Sequence, residues 1–301
     1  MQILVKETAN IIRESGQSGG APGTLYIVAT PIGNLKDLSP RAEKVLSSVA
    51  MVAAEDTRHS GRLLQHLGLR KPMIALHEHN ERERVDHVLK ELKAGKDLAL
   101  ISDAGTPLIS DPGFVVVREA RALGIRVSPI PGPCALVTAL SAAGLPTDRF
   151  LFAGFLPAKR TGRKSALEAL KREQATLVFY ESPHRIMDTL ADLVAVLGGE
   201  RELVLGRELT KTFETFYSGS AEEVLAELQA DPHGSKGEFV VVVRGAEAPG
   251  GADEEPGLDV DKLLGLLLAE LPVKKVAKIV AELTGGSKNE LYQRALEIKD
   301  A

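Results

Sequence analysis

The 301-residue sequence predicts an α/β protein with two α/β domains and a small helical appendage near its C-terminal end. Short apolar runs, which are typical of buried parallel strands, alternate with helical patterns through the first half of the chain. Polar residues, glycines and prolines cluster where these runs end. Because open α/β sheets bind ligands outside the carboxyl ends of their strands, these clusters predict a binding cleft along one edge.

The composition is that of an ordinary globular protein, with 44% hydrophobic and 26% charged residues. No apolar run approaches the roughly 20 residues that span a bilayer, and the first residues lack a signal-peptide pattern. A single cysteine excludes internal disulfide bonds and fits a reducing cytosol, so we expect a cytoplasmic protein with no membrane partner. The net charge of −4 means that an RNA partner would need a local basic patch.

The first candidate for a ligand loop covers residues 102–113. It follows the apolar run Leu98–Ile101 and contains two prolines and two glycines besides its carboxylates. Gly105 and Gly113 permit a positive φ or a close approach of backbone to a ligand, whereas the prolines stiffen the loop. A plain turn between a strand and a helix seldom needs so many special residues, so the loop is predicted to bind a ligand.

The first half of the chain is predicted to hold five strands with helices between them. Ser39 and Pro40 supply an N-cap and a first-turn proline for the first helix. The strands are predicted at 25–29, 51–54, 73–76, 98–101 and 127–130, and further helices at 81–94, 114–123 and 135–143.

The second half is predicted to begin near residue 146 and to form a second α/β domain. Its strands are predicted at 150–155, 176–180, 202–205, 215–217 and 238–243, with helices at 165–172, 184–197 and 221–229. Three helical segments follow at 260–271, 273–283 and 288–299, with a spacing typical of helix-turn-helix proteins. The predicted parts are a flexible leader (1–22), two domains (23–145 and 146–245), a linker (246–258) and the appendage (259–301).

Three further patterns have competing interpretations. The chain lacks the glycine-rich signatures of Rossmann and P-loop nucleotide sites. His77, Glu78 and His79 form a possible metal-binding run, but no matching ligands accompany them and we expect no metal. Cys134 stands at a predicted helix start, where a reactive thiol is one interpretation. No histidine is placed to act as its base, so a packed small residue is the preferred interpretation.

Charged residues follow several strands of the second half. Four cations lie within six residues after strand 150–155, at Lys159, Arg160, Arg163 and Lys164. Such runs are usually solvated surface, and phosphate binding is the alternative. A carboxylate and a cation also follow two other strands, at Glu181, Arg185, Glu208 and Lys211. These residues could form interdomain salt bridges, but beside the ligand loop we favour a set that faces a substrate.

Seven motifs, in order along residues 24–245, resemble the tetrapyrrole-methylase superfamily. They are Thr30-Pro-Ile-Gly-Asn-Leu35, Glu55-Asp-Thr-Arg58, Asp103-Ala-Gly-Thr-Pro107, Pro131-Gly-Pro133, Phe155-Leu-Pro157, Tyr180-Glu-Ser-Pro-His-Arg185 and Arg207-Glu-Leu-Thr-Lys211. Within it, the set resembles the bacterial branch that methylates a cytidine 2′-hydroxyl of 16S ribosomal RNA. The first motif stands where tetrapyrrole-modifying relatives carry a Gly-x-Gly-x-Gly-Asp-like loop, and this departure favours the RNA branch.

The resemblance implies a two-domain α/β fold whose interdomain cleft holds S-adenosylmethionine, usually in a homodimer. Carried over by position, the cofactor contacts fall on Pro31, Asp103, Ala104, Gly105, Thr106, Ile109, Cys134, Ala135, Glu181 and Leu209. The implied partner is 16S ribosomal RNA. The acidic net charge and the shortage of aromatic residues favour RNA assembled in the small ribosomal subunit over a free single strand.

A sugar hydroxyl is a weak nucleophile, so a nearby base or cation should assist methyl transfer. Glu208 and Lys211 are the candidates for that role. Arg185 would hold the neighbouring phosphate, and the four-cation run would follow the RNA backbone. Two alternatives remain, a C-methyltransferase for a tetrapyrrole precursor and a non-catalytic RNA-binding assembly factor. The basic run and the appendage count against the first, and the complete ligand loop counts against the second.

Overall fold

The structure is a computed structural model that describes residues 21–77, 81–247 and 260–300. The boundary between its two compact units falls between Ala246 and Glu247, and each unit is described by itself. Most of the predicted leader, the predicted linker from residue 248 on, and residues 78–79 of the possible metal-binding run lie outside the described residues. In the described ranges, no helix is long and apolar enough to cross a membrane.

The first half of the larger unit forms the predicted parallel sheet. Its strands are β1 (Leu25–Val28), β2 (Met51–Ala54), β3 (Met73–Ala75), β4 (Leu98–Ile101) and β5 (Val127–Ile130). They are all parallel and lie in the order β3-β2-β4-β1-β5. Strand β4 is buried along its whole length at the centre of the sheet. The ligand loop 102–113 therefore leaves from the middle of the carboxyl edge.

Helices cover both faces of this sheet and form two apolar clusters with it. They are α1 (Pro40–Ser48), α2 (Thr57–His66), α3 (Glu81–Lys93) and α4 (Phe114–Ala122); a fifth helix, α5 (Ala135–Ala142), follows β5 and is not part of these clusters. The predicted cap of α1 is confirmed, since the Ser39 hydroxyl accepts from the amide of Ala42 at 3.1 Å. Helix α2 was not predicted. Asp56 caps it by accepting from the amide of Arg58 at 2.8 Å, and its first turns are polar, so no apolar stripe announces it.

The second half of this unit forms a mixed sheet. Its strands are β6 (Phe150–Phe155), β7 (Thr176–Glu181), β8 (Glu202–Arg207), β9 (Thr215–Ser220) and β10 (Phe239–Val243), in the order β6-β7-β10-β8-β9. Strand β10 runs antiparallel to both β7 and β8, so that Phe239 pairs with Glu181 and with Arg207. The beginning of β10 therefore lies at the same edge as the ends of its two neighbours.

Helices α6 (Arg160–Leu170), α7 (Ile186–Leu197) and α8 (Ala221–Ala230) pack on one face of the second sheet. The other face is covered by α5, whose Leu136, Ala139 and Leu140 pack against valines of β7, β8 and β10. Helix α6 begins five residues before the predicted start, so the four-cation run lies on its N-cap and first turns. Its first apolar residue comes only at Ala166, which explains the late prediction.

The smaller unit consists of the three predicted helices. They are α9 (Val260–Leu268), α10 (Val273–Thr284) and α11 (Lys288–Asp300). Their buried core contains Leu264, Val276, Ala277, Val280 and Ala295, which come from all three helices. The Arg294 guanidinium forms an ion pair with Asp261 at 2.7 Å and so links α11 to α9.

Candidate active site

A cavity of about 410 Å³ opens where the edges of the two sheets meet. Its walls come from the ligand loop, the start of α5, the ends of β6 and β7, and the beginning of β10. This volume lies in the range of about 300–1,000 Å³ that small-molecule sites occupy. Nine of the ten predicted cofactor positions line it: Asp103, Ala104, Gly105, Thr106, Ile109, Cys134, Ala135, Glu181 and Leu209. Pro31 does not, but its neighbour Ile32 does.

The ligand loop is held in an unusual conformation beside this cavity. Gly105 adopts a φ of 84° and exchanges two backbone hydrogen bonds with Thr30, at 2.8 and 3.1 Å, at the end of β1. A Cβ at Gly105 would lie 3.2 Å from Cγ2 of Ile32, so a side chain here would also crowd the cavity wall. Leu108 and Ser110 have φ values of 72° and 68°, which are costly for residues with side chains. Backbone strain of this kind is typical of functional loops.

Three carboxyl groups of the first domain lie together on one wall of the cavity. They are Glu55, directly after β2, and Asp103 and Asp111 of the ligand loop. Burial, followed by the charge of Glu55, raises the pKa of Asp111 to about 6. Burial, followed by the charge of Asp103, also raises the pKa of Glu55. Among the described residues that line the cavity there is no lysine, arginine or histidine.

On the opposite side, Lys211 bridges two carboxylates. Its ammonium donates to Oε1 of Glu208 at 2.8 Å and to Oε2 of Glu238 at 2.9 Å. Burial disfavours the charges of both Glu208 and Lys211, but their mutual hydrogen bond, their hydrogen bonds with Glu238 and the neighbouring opposite charges together outweigh it. The pKa of Glu208 is therefore lowered and the pKa of Lys211 is raised. Glu238 lines the cavity, so the Lys211 ammonium that it binds lies at the edge of the cavity. The raised pKa keeps this ammonium protonated.

The loops around Lys211 fit closely. Glu208 and Thr210 adopt φ values of 50° and 66°, so this loop is strained like the one across the cavity. Oε1 of Glu208 also accepts from the amide of Glu238 at 2.9 Å, which ties the loop to the beginning of β10. A Cβ at Gly33 would overlap Cγ of Lys211. The loop after β1 therefore packs on the stem of Lys211, where only glycine fits.

Arg185 forms an ion pair with a buried carboxylate at the end of β7. Its Nη2 lies 3.3 Å from Oε2 of Glu181, which is 3% exposed, and donates to the carbonyl of Leu156 at 2.6 Å. The same Glu181 oxygen accepts from the hydroxyl of Thr189 at 2.7 Å. The Nε of Arg185 is buried and finds no hydrogen-bond partner among the described residues. The buried Nε is closed to a ligand, but 26% of the Arg185 side chain is exposed and can contact one.

The four-cation run does not act as one surface, and the prediction for Arg163 needs correction. Arg163 is 3% exposed, and its guanidinium forms an ion pair with the fully buried Asp192 of α7 at 2.8 Å. It therefore stabilises the fold and cannot follow an RNA backbone. Arg160 also contacts Asp192, at 3.0 Å, but keeps 70% of its side chain exposed. Lys159 and Lys164 are available at the surface in the same way.

Several cavity residues were not predicted as site residues. The sequence could have indicated Glu55 and Asp111, because Glu55 directly follows a predicted strand and Asp111 lies in the ligand loop. Tyr180 is the last but one residue of β7, and its hydroxyl accepts from the amide of Leu136 at 3.0 Å, at the start of α5. Glu238 was missed for another reason: it begins the predicted strand 238–243, and the prediction considered only the residues that follow strands. The antiparallel direction of β10 brings it to the same edge.

The fold and this cavity define the class of protein. Residues 24–225 match the family model of the tetrapyrrole (corrin/porphyrin) methylases. Residues 254–299 match the model described as the RsmI C-terminal HTH domain. Among solved structures, diphthine synthase aligns with 74% of this chain and 90% of its own, at a TM-score of 0.58 and 16% identity. The methyltransferase CobJ aligns with 74% and 95%, at a TM-score of 0.56 and 18% identity. These likenesses show the fold.

Comparison with curated relatives identifies the family within this class of proteins. A ribosomal RNA small subunit methyltransferase I of Pseudomonas aeruginosa is 59% identical over 91% of this chain and 97% of its own. The protein of the same name from Escherichia coli O157:H7 is 52% identical over 95% and 99%. The chain belongs to the ribosomal RNA small subunit methyltransferase I family, within the tetrapyrrole methylases. The resemblance drawn from the seven motifs is thereby confirmed.

Proposed function

We propose that the protein transfers a methyl group from S-adenosylmethionine to the 2′-hydroxyl of a cytidine in 16S ribosomal RNA of the small subunit. The observation that supports this most is the cavity, which nine of the ten positions carried over for the cofactor line. Family membership supports ribosomal RNA as the substrate class. The homodimer and the cytidine 2′-hydroxyl as acceptor are predictions from the resemblance.

The residues present fit this cofactor. The cavity combines apolar surface from Ile32, Ile109 and Leu209 with a wall of carboxyl groups, which suits a flat base and a positively charged sulfur. Gly105, which has no side chain, lets the backbone of the ligand loop lie close to a ligand. When bound there, S-adenosylmethionine would supply an electrophilic methyl group. The chain's own residues must then position a ribose hydroxyl and stabilise the charge that develops on its oxygen.

The geometry gives the three predicted catalytic residues distinct roles. Because the pKa of Lys211 is raised, its ammonium does not accept the hydroxyl proton, which leaves to water; the ammonium stabilises the negative charge that develops on the ribose oxygen. Glu208 is a weak base, since its pKa is lowered, and it positions Lys211. Arg185 binds the neighbouring phosphate with the donors that Glu181 and Leu156 leave available. Lys159, Arg160 and Lys164 extend this phosphate-binding surface along the start of α6.

Methyl transfer from labelled S-adenosylmethionine to purified small subunits that lack the modification tests the proposal directly. Naked 16S ribosomal RNA and a tetrapyrrole precursor serve as parallel substrates, and the labelled nucleotide is mapped. Label on a cytidine ribose of the subunit is the expected result. Label in the tetrapyrrole alone would show a small-molecule methyltransferase. Failure to bind the cofactor would support the non-catalytic assembly factor.

Exposed cations of α6 should contribute to substrate affinity through phosphates. We expect Lys159→Ala combined with Lys164→Ala to weaken binding to the small subunit and to reduce the salt dependence of binding by roughly one to two counterions. The measurement is the dissociation constant over a series of salt concentrations. Lys44→Ala, at an exposed lysine of α1, is the matched control. If the dependence of the dissociation constant on salt is the same in the double variant and the unmodified chain, the start of α6 is not part of the RNA-binding surface.

A further inference from the structure

The charges around the cavity are unevenly compensated. Five carboxyl groups line it, and two of them have cationic partners: Glu181 pairs with Arg185, and Glu238 pairs with Lys211. The other three, Glu55, Asp103 and Asp111, form no ion pair with a lysine or arginine of the described residues, and the attraction between Glu55 and His77 is weaker than the repulsion between Glu55 and Asp103. We call these three the acidic wall. The wall belongs to the first domain, and the compensated carboxylates belong to the second.

Like charges in the acidic wall repel one another, which disfavours the charged forms of Glu55 and Asp111. Its members come from the end of β2 and from two positions of the ligand loop, and like charges at short range destabilise one another. The wall also depends on the strained backbone at Leu108 and Ser110, directly before Asp111. Carboxyl groups that repel one another beside a cavity, with no lysine or arginine partner among the described residues, suit a positively charged ligand.

We propose that the acidic wall binds the positive charge of the methyl donor's sulfonium, so that Asp111 makes the site prefer S-adenosylmethionine over its demethylated product. This inference rests on the proposed function, because it takes S-adenosylmethionine as the cofactor. It adds a specificity-determining role for residues that the resemblance did not assign to charge recognition.

The sulfonium is the group that a negative wall can distinguish. Donor and product share the adenosine, the carboxylate and the ammonium, but the sulfur is positively charged only in the donor. Attraction between the wall and the sulfonium therefore stabilises the donor complex selectively, and it disappears once the methyl group has left. A metal ion is a poorer candidate for the wall. The described residues contain no group of three or more His, Cys, Asp or Glu side chains arranged to hold one.

The wall should also respond to pH. Asp111 faces Glu55 and Asp103, hydrogen bonds to Ser102, and lies near Tyr180 of β7. Glu55 in turn faces Asp56 and His77. As the pH falls through about 6, Asp111 takes up a proton and the wall loses charge. Donor affinity should then fall, whereas product affinity, which does not depend on the wall, should remain.

Calorimetric titration of the full chain with three ligands tests this without measuring activity. The ligands are S-adenosylmethionine, S-adenosylhomocysteine and sinefungin, in which a protonated amine replaces the sulfonium methyl group. Between about pH 7.5 and about pH 5, we expect affinity for the two cationic ligands to fall roughly tenfold, as a single group with a pKa near 6 dictates. The affinity for S-adenosylhomocysteine should change less than about twofold.

Two substitutions make the test specific. Asp111→Asn and, separately, Glu55→Gln should each weaken the cationic ligands roughly tenfold at neutral pH and leave S-adenosylhomocysteine almost unchanged. Asp37→Asn, at an exposed acid outside the cavity, is the control. Thermal melting verifies that each variant folds, and the pH series on the unmodified chain needs no variant.

The outcomes separate the two proposals. If Asp111→Asn weakens all three ligands equally, the wall binds the ammonium that they share, and the inference is wrong. If donor and product affinities follow the same pH dependence in the unmodified chain, it is wrong as well. If neither S-adenosylmethionine nor S-adenosylhomocysteine binds at any pH, it is the proposed cofactor that fails, and with it the function.

Discussion

Lys211→Met is expected to lower the single-turnover rate of methyl transfer by roughly 10²–10³-fold, the effect of removing one preorganised donor from a developing oxyanion. Methionine keeps the apolar stem that packs on Gly33 and removes the ammonium that bridges Glu208 and Glu238. The affinities for S-adenosylmethionine and for the small subunit should change less than about threefold, because a charge that acts mainly in the transition state affects the rate more than binding.

A second substitution changes the position of this ammonium instead of removing it. Gly33→Ala places a Cβ where Cγ of Lys211 lies, so the side chain must shift while its charge remains. The rate should fall in the same direction but by less. Lys44→Met on α1 serves as the control for loss of a surface lysine. A single-turnover rate for Lys211→Met within about twofold of the unmodified chain would show that Lys211 does not stabilise the reacting oxygen.

Asp192→Ala is expected to lower the free energy of unfolding by about 3–5 kcal/mol, the usual cost of removing one partner of a buried ion pair. Asp192 is fully buried and is the carboxylate that the buried Arg163 contacts at 2.8 Å. Without it, the Arg163 guanidinium keeps its place in the core with its charge uncompensated. Arg160 and Lys164 lose the same partner, but water can solvate their exposed side chains. Urea unfolding followed by circular dichroism provides the measurement.

Two further variants isolate the cause. Adding Arg163→Met to Asp192→Ala removes the unpaired charge and should recover part of the lost stability, since buried pairs are often replaceable by apolar side chains. Asp188→Ala, at an exposed acid on the same helix α7, should cost at most about 0.5 kcal/mol. If Asp192→Ala costs no more than Asp188→Ala, the ion pair does not stabilise the fold.

The first sheet was the most predictable part of the molecule. Parallel strands that are covered on both faces are short apolar runs, and their ends are marked by residues suited to loops. The predicted bounds of β2, β4 and β5 agree with the structure for this reason. The ligand loop was equally predictable, because its backbone requires glycine where Gly105 and Gly113 adopt φ values of 84° and 125°.

What could not be predicted depends on contacts between distant residues. The partner of Arg163 lies on another helix, so the charge run gave no sign that one of its four members is buried. The direction of β10, which brings Glu238 to the cavity, is set by pairing with β7 and β8 rather than by its own apolar sequence. The raised pKa of Asp111 likewise arises from burial and from Glu55, which is distant in sequence and follows the neighbouring strand β2.

Helix α5 follows the last strand of the first sheet, yet its apolar side covers the second sheet. The helix therefore connects the two halves of the unit. The hydrogen bond from the Leu136 amide to the Tyr180 hydroxyl holds its first turn beside the cavity. Swinging the two sheets apart would bring Leu136 and Leu140 into water, at a cost of about 25 cal/mol for each Å² of apolar surface exposed. We therefore expect ligands to enter and leave by movement of the strained loops, while the two sheets keep their relative positions.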